Sequence, residues 1–194
     1  MSNAHKCMLL AAGIAAALAA HAAAPQGWFL AGSKPDNYDT GVDRDTVYNA
    51  KPSAFLKAKA DQDGFGTLLQ SFSADPYIGK RIRLSANVKS DNVARWAGLW
   101  MRVDGKDTDP SHASLAFDNM QNRPIKGTTG WKRYEVVLNV PQGAAGVYLG
   151  ILLDGPGQVW LNDVKVEVVG TDVPVTGQPK MSLPDGPRNL GFDQ

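Results

Sequence analysis

The sequence predicts an all-β fold, an antiparallel β-sandwich of jelly-roll type. Three observations predict it. Apolar residues recur at every second position in run after run, Gly, Pro, Asn and Asp punctuate those runs, and no window of helical length in the chain beyond the first residues carries a sustained apolar stripe. Short antiparallel strands without helices bury their apolar faces only by packing one sheet against another.

From Lys80 to Ser90, Ile82, Leu84, Ala86 and Val88 alternate with polar neighbours, which defines one core face. Tyr134, Val136, Leu138 and Val140 repeat the pattern, as do Val147, Leu149, Ile151 and Leu153. Val159 and Leu161, then Val164, Val166 and Val168, flank an expected turn at Asn162 and Asp163. Pro52 to Ala60 is the one helix-like stretch, and the alternation of Ser53, Phe55 and Lys57 fits a strand equally well. About eight or more strands result, with no repeat of propeller or solenoid length.

The flanks read differently. Lys6 precedes the apolar run MLLAAGIAAALAA, and small residues at Ala22 to Ala24 and Pro25 follow it, the pattern of a secretory signal peptide over residues 1–24. The run is too short to span a hydrocarbon core of ~30 Å comfortably, so the expectation is an exported protein, periplasmic or secreted, with no membrane span after signal removal. The sandwich domain would then occupy residues 25–170. After Gly170, Pro174, Pro179, Pro184 and Pro187 punctuate a tail over residues 171–194. Its end, NLGFD from Asn189, carries Leu190 and Phe192, so it is expected to return as an edge strand or clasp.

Composition narrows the chemistry. The 194 residues hold 20 basic and 19 acidic side chains, a net charge of +1 that provides no basic excess for a phosphate backbone, so nucleic acid is not an expected partner. The chain has one cysteine and three histidines. Cys7, His5 and His21 lie in the leader and leave His112 alone, in an ordinary-looking turn beside Pro110 and Ser111. Thiolate zinc sites, multi-histidine metal centres and disulfides therefore lack their residues, and no cofactor motif is present. A serine triad lacks its G-x-S-x-G elbow.

The most informative strand runs from Ala94 to Val103. Ala97, Leu99, Met101 and Val103 form its apolar set, so Trp96, Gly98, Trp100 and Arg102 share the opposite face. The two indoles stand about 13 Å apart at ~3.3 Å per residue, and Gly98 is expected to leave open surface between them. Indole rings pack on the C–H faces of sugars, and flanking polar groups bond hydroxyls, so this face reads as a carbohydrate platform. The same rings could instead fill a second core layer beneath a loop. In SLAFDNMQNR, from Ser114, Leu115 and Phe117 are expected to alternate inward, with Asp118, Asn119 and Gln121 leading the amide-rich stretch that ends at Asn122 and Arg123. Planar amides suit polyhydroxyl ligands. The candidate ligand-binding set is Trp96, Trp100, Arg102, Asp118, Asn119 and Gln121.

Carboxylate chemistry has fewer candidates. Asp104, Asp107 and Asp109 in DGKDTD and Asp61 and Asp63 in DQDG read as turn residues, without the terminal glutamate of a calcium loop. Asp118 and Glu135 would form a pair able to hydrolyse glycosides only if their strands were adjacent.

Several segments carry a resemblance. GWFLAGSKPDNYDTGVD from Gly27, GFGTLLQSF from Gly64, WAGLWMRVDG from Trp96, LAFDNMQNRPIKGTTGWKRYEVVLNVP from Leu115 and GILLDGPGQVWLNDVKVEVV from Gly150 resemble a poorly characterised bacterial domain. That domain occurs in exported proteins and is also appended to some AraC-type transcriptional regulators. The closing WKRYEVVLNVP and QVWLNDVKVE are more loosely similar to galactose-binding-like jelly-roll carbohydrate-binding modules. The resemblance implies the fold and suggests a glycan or small polar ligand. The chain departs from the family in two places. No helix-turn-helix candidate accompanies the domain here, and the family's opening strand, similar to NLxFE, is missing before Gln26 and echoed at Asn189 to Asp193. The functional expectation is a non-catalytic binding module. The alternatives are a structural or protein-interaction domain and a carboxylate-based hydrolase.

Overall fold

The computed structural model describes residues 23–59, 63–106, 114–177, 186, 187 and 189–191. Residues 1–22 of the leader expected over 1–24, and Asp61, Asp107, Asp109, His112 and Phe192, lie outside the described residues. Nine strands are described: β1 Phe29–Gly32, β2 Tyr38–Tyr48, β3 Lys51–Ala58, β4 Phe65–Ser73, β5 Arg81–Gly105, β6 Ser114–Asp118, β7 Ile125–Asn139, β8 Ala144–Asp154 and β9 Gln158–Val169. Every pairing is antiparallel. Among the described residues no helix is long and apolar enough to cross a membrane.

The strands form two layers that share β5. Its first half, from Arg81 to Asp91, lies between β7 and β9, and β3 and β2 continue that layer outward from β9. Its second half, from Trp96 to Gly105, pairs with β8 and β6, and β4 and β1 extend the layer beyond β8. The two runs read separately in the sequence are thus one strand of 25 residues. Register shifts against β7 at Ser90, Val93 and Ala97, together with Asn92 at φ 50°, carry it from one layer to the other.

The alternation places the core correctly. Ile82, Leu84, Ala86 and Val88 on β5 are buried together with Val136, Leu138 and Val140 of the β7 run and Val147, Leu149, Ile151 and Leu153 on β8. Ala97, Leu99, Met101 and Val103 continue the same core from the second half of β5. Leu56 and Leu68 close it from β3 and β4. Pro52 to Ala58 is strand, and the inward set there is Ala54, Leu56 and Ala58.

The turn expected at Asn162 and Asp163 is not there. β9 runs through it, and Asp163 at φ 49° forms a bulge where the pairing with β5 jumps from Ser85 to Asn87. The bulge moves the inward residues from odd positions, Val159 and Leu161, to even ones, Val164 and Val166. The Asn162 amide nitrogen holds the bulge against β3 by donating to the carbonyls of Lys51 and Pro52 and to Ser53 Oγ.

The tail rejoins the body early. Arg81 donates to the carbonyls of Thr171 and Val173, and the Thr176 backbone N–H donates to Val137 O at 3.0 Å. Gly177 sits so close to Phe117 O and the Leu138 side chain that a Cβ there would stand 2.9 Å from each. Of the clasp expected over Asn189 to Asp193, Phe192 and Asp193 lie outside the described residues, and Leu190 is 75% exposed.

Candidate functional site

The outer face of the layer containing β1, β4, β8, β5 and β6 is set by register. Trp96 lies opposite Asp154, Gly98 opposite Leu152, Trp100 opposite Gly150 and Arg102 opposite Tyr148, and the last also pairs across to Phe117 on β6. On the far side of β8, Leu152 faces Thr67 and Gly150 faces Leu69. Directly opposed residues share a sheet face, so these side chains form one continuous surface. A groove of about 480 Å³ lies on it, lined by Phe65, Thr67, Leu69, Trp100, Tyr148 and Leu152, with Arg102, Phe117 and Asn119 along one side.

Trp100 is fixed at the base. Its Nε1–H donates to Thr67 Oγ1 at 2.7 Å, and Thr67 Oγ1 donates in turn to the Ile151 carbonyl at 2.9 Å. The indole polar atom is satisfied inside the sheet, which leaves the ring as apolar lining. Gly150, between Trp100 and Leu69, is closely approached by β4: a Cβ there would collide with the Leu68 carbonyl oxygen and the Leu69 Cα.

The opening expected over Gly98 is absent. A Cβ on Gly98 would stand 2.7 Å from Asn119 O, 3.0 Å from Met120 Cβ and 3.5 Å from Trp96 Cζ3. The loop after β6 crosses there and covers the glycine. Trp96 and Trp100 do share a face, as the alternation indicated, but only Trp100 lines the groove. Trp96 is half-buried near the covered glycine.

Phe117 is also placed opposite to expectation. Ala116 pairs with Val103 and faces the core, so Phe117, paired with Arg102, faces out and is 46% exposed.

Arg102 is held by a neighbour two residues on. Its Nε and Nη2 donate to Asp104 Oδ2 at 3.1 and 2.8 Å, and its guanidinium carbon stands 5.1 Å from the Tyr148 ring centroid. The ion pair and the cation–π contact orient the guanidinium along the groove wall.

Asp118 is 7% exposed and organises the loop. Its Oδ1 accepts from the Met120 backbone N–H at 2.9 Å and from Arg123 Nη1 at 3.2 Å. Its Oδ2 accepts from Arg123 Nη2 and from Thr176 Oγ1, each at 2.6 Å. Four donors fill a carboxylate's acceptor sites. Met120 is buried at φ 62°, an unusual conformation for its residue type that these contacts hold in place. The loop therefore presents Asn119, Gln121 and Asn122 outward around a second hollow of about 340 Å³, bordered also by Phe117 and Asp118. Of the candidate carboxylate pair, Asp118 is bound by Arg123 and Thr176, and Glu135 faces Arg83, with Oε2 3.8 Å from Nη1, while its carbonyl accepts from Arg123 Nη2 at 3.1 Å.

Tyr38, Tyr134 and Asp43, whose protonation is displaced, line neither hollow. Burial pushes the Tyr38 and Tyr134 hydroxyls above 10.0. Asp43 is lowered from 3.8 to about 2, first by the Thr46 backbone N–H and also by Trp160 Nε1–H at 2.8 Å. Among the described residues no cluster of three or more His, Cys, Asp or Glu side chains could hold a metal ion.

No protein-family model matches the chain. A relative named an uncharacterized HTH-type transcriptional regulator YbfP, from Bacillus subtilis (strain 168), is 45% identical over 172 residues. The match takes in 87% of this chain and 57% of the relative, so the chain spans little more than half of that relative's length. Three solved structures are similar in fold. The xylan-binding CBM22-1 domain of Paenibacillus barcinonensis Xyn10C has a TM-score of 0.51 at 16% identity, over 77% of this chain and 90% of its own. The C-terminal family 22 carbohydrate-binding module of Clostridium thermocellum Xyn10B has a TM-score of 0.50 at 14% identity, over 77% and 89%. The enzymatically active domain of tailspike protein 4 from bacteriophage CBA120 has a TM-score of 0.55 at 14% identity, over 74% of this chain and 20% of that one. The chain thus has the antiparallel β-sandwich fold of carbohydrate-binding modules.

Proposed function

We propose that this chain is a non-catalytic binding module that holds a glycan in the groove over Trp100. The observation that carries the reading is the groove's makeup: an aromatic and aliphatic lining of Phe65, Leu69, Trp100, Tyr148 and Leu152 with Arg102 and Asn119 beside it. Apolar walls with a few fixed polar groups are what small-ligand sites are made of, and pyranose rings offer both C–H faces and hydroxyls. Binding is then stacking combined with planar hydrogen bonds, with no covalent step. The likeness in fold to a domain named as xylan-binding and to a carbohydrate-binding module supports the reading.

Affinity electrophoresis in a panel of soluble glycans, xylan among them, tests it. Trp100→Ala and Tyr148→Ala are each expected to weaken retention by about 1 to 3 kcal/mol, the scale of aromatic burial. Unchanged retention in both variants, with melting curves showing an intact fold, would sink the reading.

The leader-like residues 1–24 extend the proposal to location, with the module acting outside the cytoplasm. Cell fractionation with N-terminal sequencing checks this, and an uncleaved cytoplasmic product would overturn it.

A further inference from the structure

We infer that the ligand is an uncharged, linear oligosaccharide lying across Phe117, gripped on one side by the aromatic groove and on the other by the amide loop. The inference rests on the glycan reading and specifies its ligand.

Phe117 and Asn119 line both hollows, so the two are parts of one site that meet at this pair of residues. The hollows measure about 480 and 340 Å³. Each is near the lower end of the range for small-molecule sites and suits roughly one or two sugar rings. A monosaccharide would leave one of them empty, whereas a chain of about four rings reaches both. Phe117 is a large apolar side chain left 46% exposed on a five-residue strand, and its backbone is backed by Gly177. A ring held there offers its face to a sugar passing from one hollow to the other.

The two halves differ in chemistry. The groove over Trp100 is mainly apolar lining. The other hollow displays Asn119, Gln121 and Asn122 from a loop already locked by Asp118, Met120 and Arg123, so little ordering remains to be done when a ligand arrives. Among the described residues, the charged side chains bordering the combined site are Arg102 and Asp118. Each is paired within the chain, Arg102 with Asp104 and Asp118 with Arg123. Among the described residues the site therefore presents no uncompensated charge, which favours neutral sugars over uronic acids.

Isothermal titration calorimetry of the full chain with xylo- and cello-oligosaccharides of increasing length, and with oligogalacturonides as the charged counterparts, tests the inference. For at least one neutral series the affinity is expected to rise at least tenfold from dimer to tetramer and then level off, with the oligogalacturonide tetramer at least tenfold weaker. Gln121→Ala combined with Asn122→Ala, both exposed positions, is expected to lower tetramer affinity about fivefold and leave the dimer unchanged. Phe117→Ala is expected to weaken the tetramer more than the dimer. Equal affinity for dimer and tetramer, insensitivity of the tetramer to the double variant, or equal binding of the charged series would overturn the inference while leaving the glycan reading standing. Failure of every sugar to bind the unaltered chain removes the glycan reading, and this inference falls with it.

Discussion

Thr176 Oγ1 and Asp118 Oδ2 are 2.6 Å apart, and through this hydrogen bond the C-terminal tail is tied to the loop that borders the candidate site. Thr176 Oγ1 also accepts the Val137 backbone N–H at 2.8 Å, so one hydroxyl joins tail, β6 and β7.

Thr176→Val should therefore cost about 1 to 3 kcal/mol, because it strips the buried Val137 N–H of its acceptor and Asp118 of one donor. Chemical denaturation measures the loss. Amide exchange at Asn119 to Arg123 is expected to quicken in the same variant, and exchange unchanged there would show that tail and loop are uncoupled.

Gly98→Ala brings a methyl group to 2.7 Å from the Asn119 carbonyl, backbone that must move to admit it. A loss of about 1 to 3 kcal/mol is expected, the range for overpacking. Gly130→Ala is the control, since a Cβ there meets nothing within 4 Å. Equal melting temperatures for the two variants would mean that the loop does not rest on β5.

Asp43 makes stability depend on acid. Its folded value of about 2 lies below the ordinary 3.8, so its stabilisation is fully present above roughly pH 4 and is lost as pH falls toward 2. After allowance for solvent screening, the contribution is on the order of 1 kcal/mol. Asp43→Asn should melt lower than the unaltered chain at pH 6, and the gap should close between pH 4 and pH 2. A gap that stays constant over that interval would refute the assignment.

The parts of the fold that were legible in the sequence are those where alternation runs unbroken. Ile82 to Val88 and Val147 to Leu153 show their buried face directly, because the first run keeps one phase against β7 and the second against β4 and β5. Where a bulge intervenes, the phase changes. The step from Leu161 to Val164 in β9 recorded such a bulge but looked like a turn, since Asn and Asp serve both structures. Phe117 was misplaced for a related reason: β6 has only five residues, too few to establish a phase by themselves, and its partner β5 decides which face it shows.

Of the candidate site, Trp100, Arg102 and Asn119 were readable as groove residues, whereas Phe65, Leu69 and Tyr148 were not. They reach the groove through pairings of β4 with β8 and of β8 with β5, which no local pattern specifies. The cover over Gly98 was hidden likewise, as it comes from Asn119 and Met120 across a separate strand. Asp118 reads from the sequence as a ligand group, and its hydrogen bond to Thr176, 58 positions away, is something no local pattern specifies.

The continuity of β5 gives the molecule a stiff beam and a softer wall. Prying the layers apart would tear this one backbone out of the ladders with β7 and β9 and of those with β8 and β6, so delamination into independent halves is blocked. Trp100 and Arg102 are mounted on that beam. Phe117 and Asn119 belong to β6 and the turn after it, braced along a single flank by β5 and underneath by the tail. The groove thus joins a wall held in a ladder on both flanks, which carries the indole, to a short strand that among the described residues pairs with β5 alone.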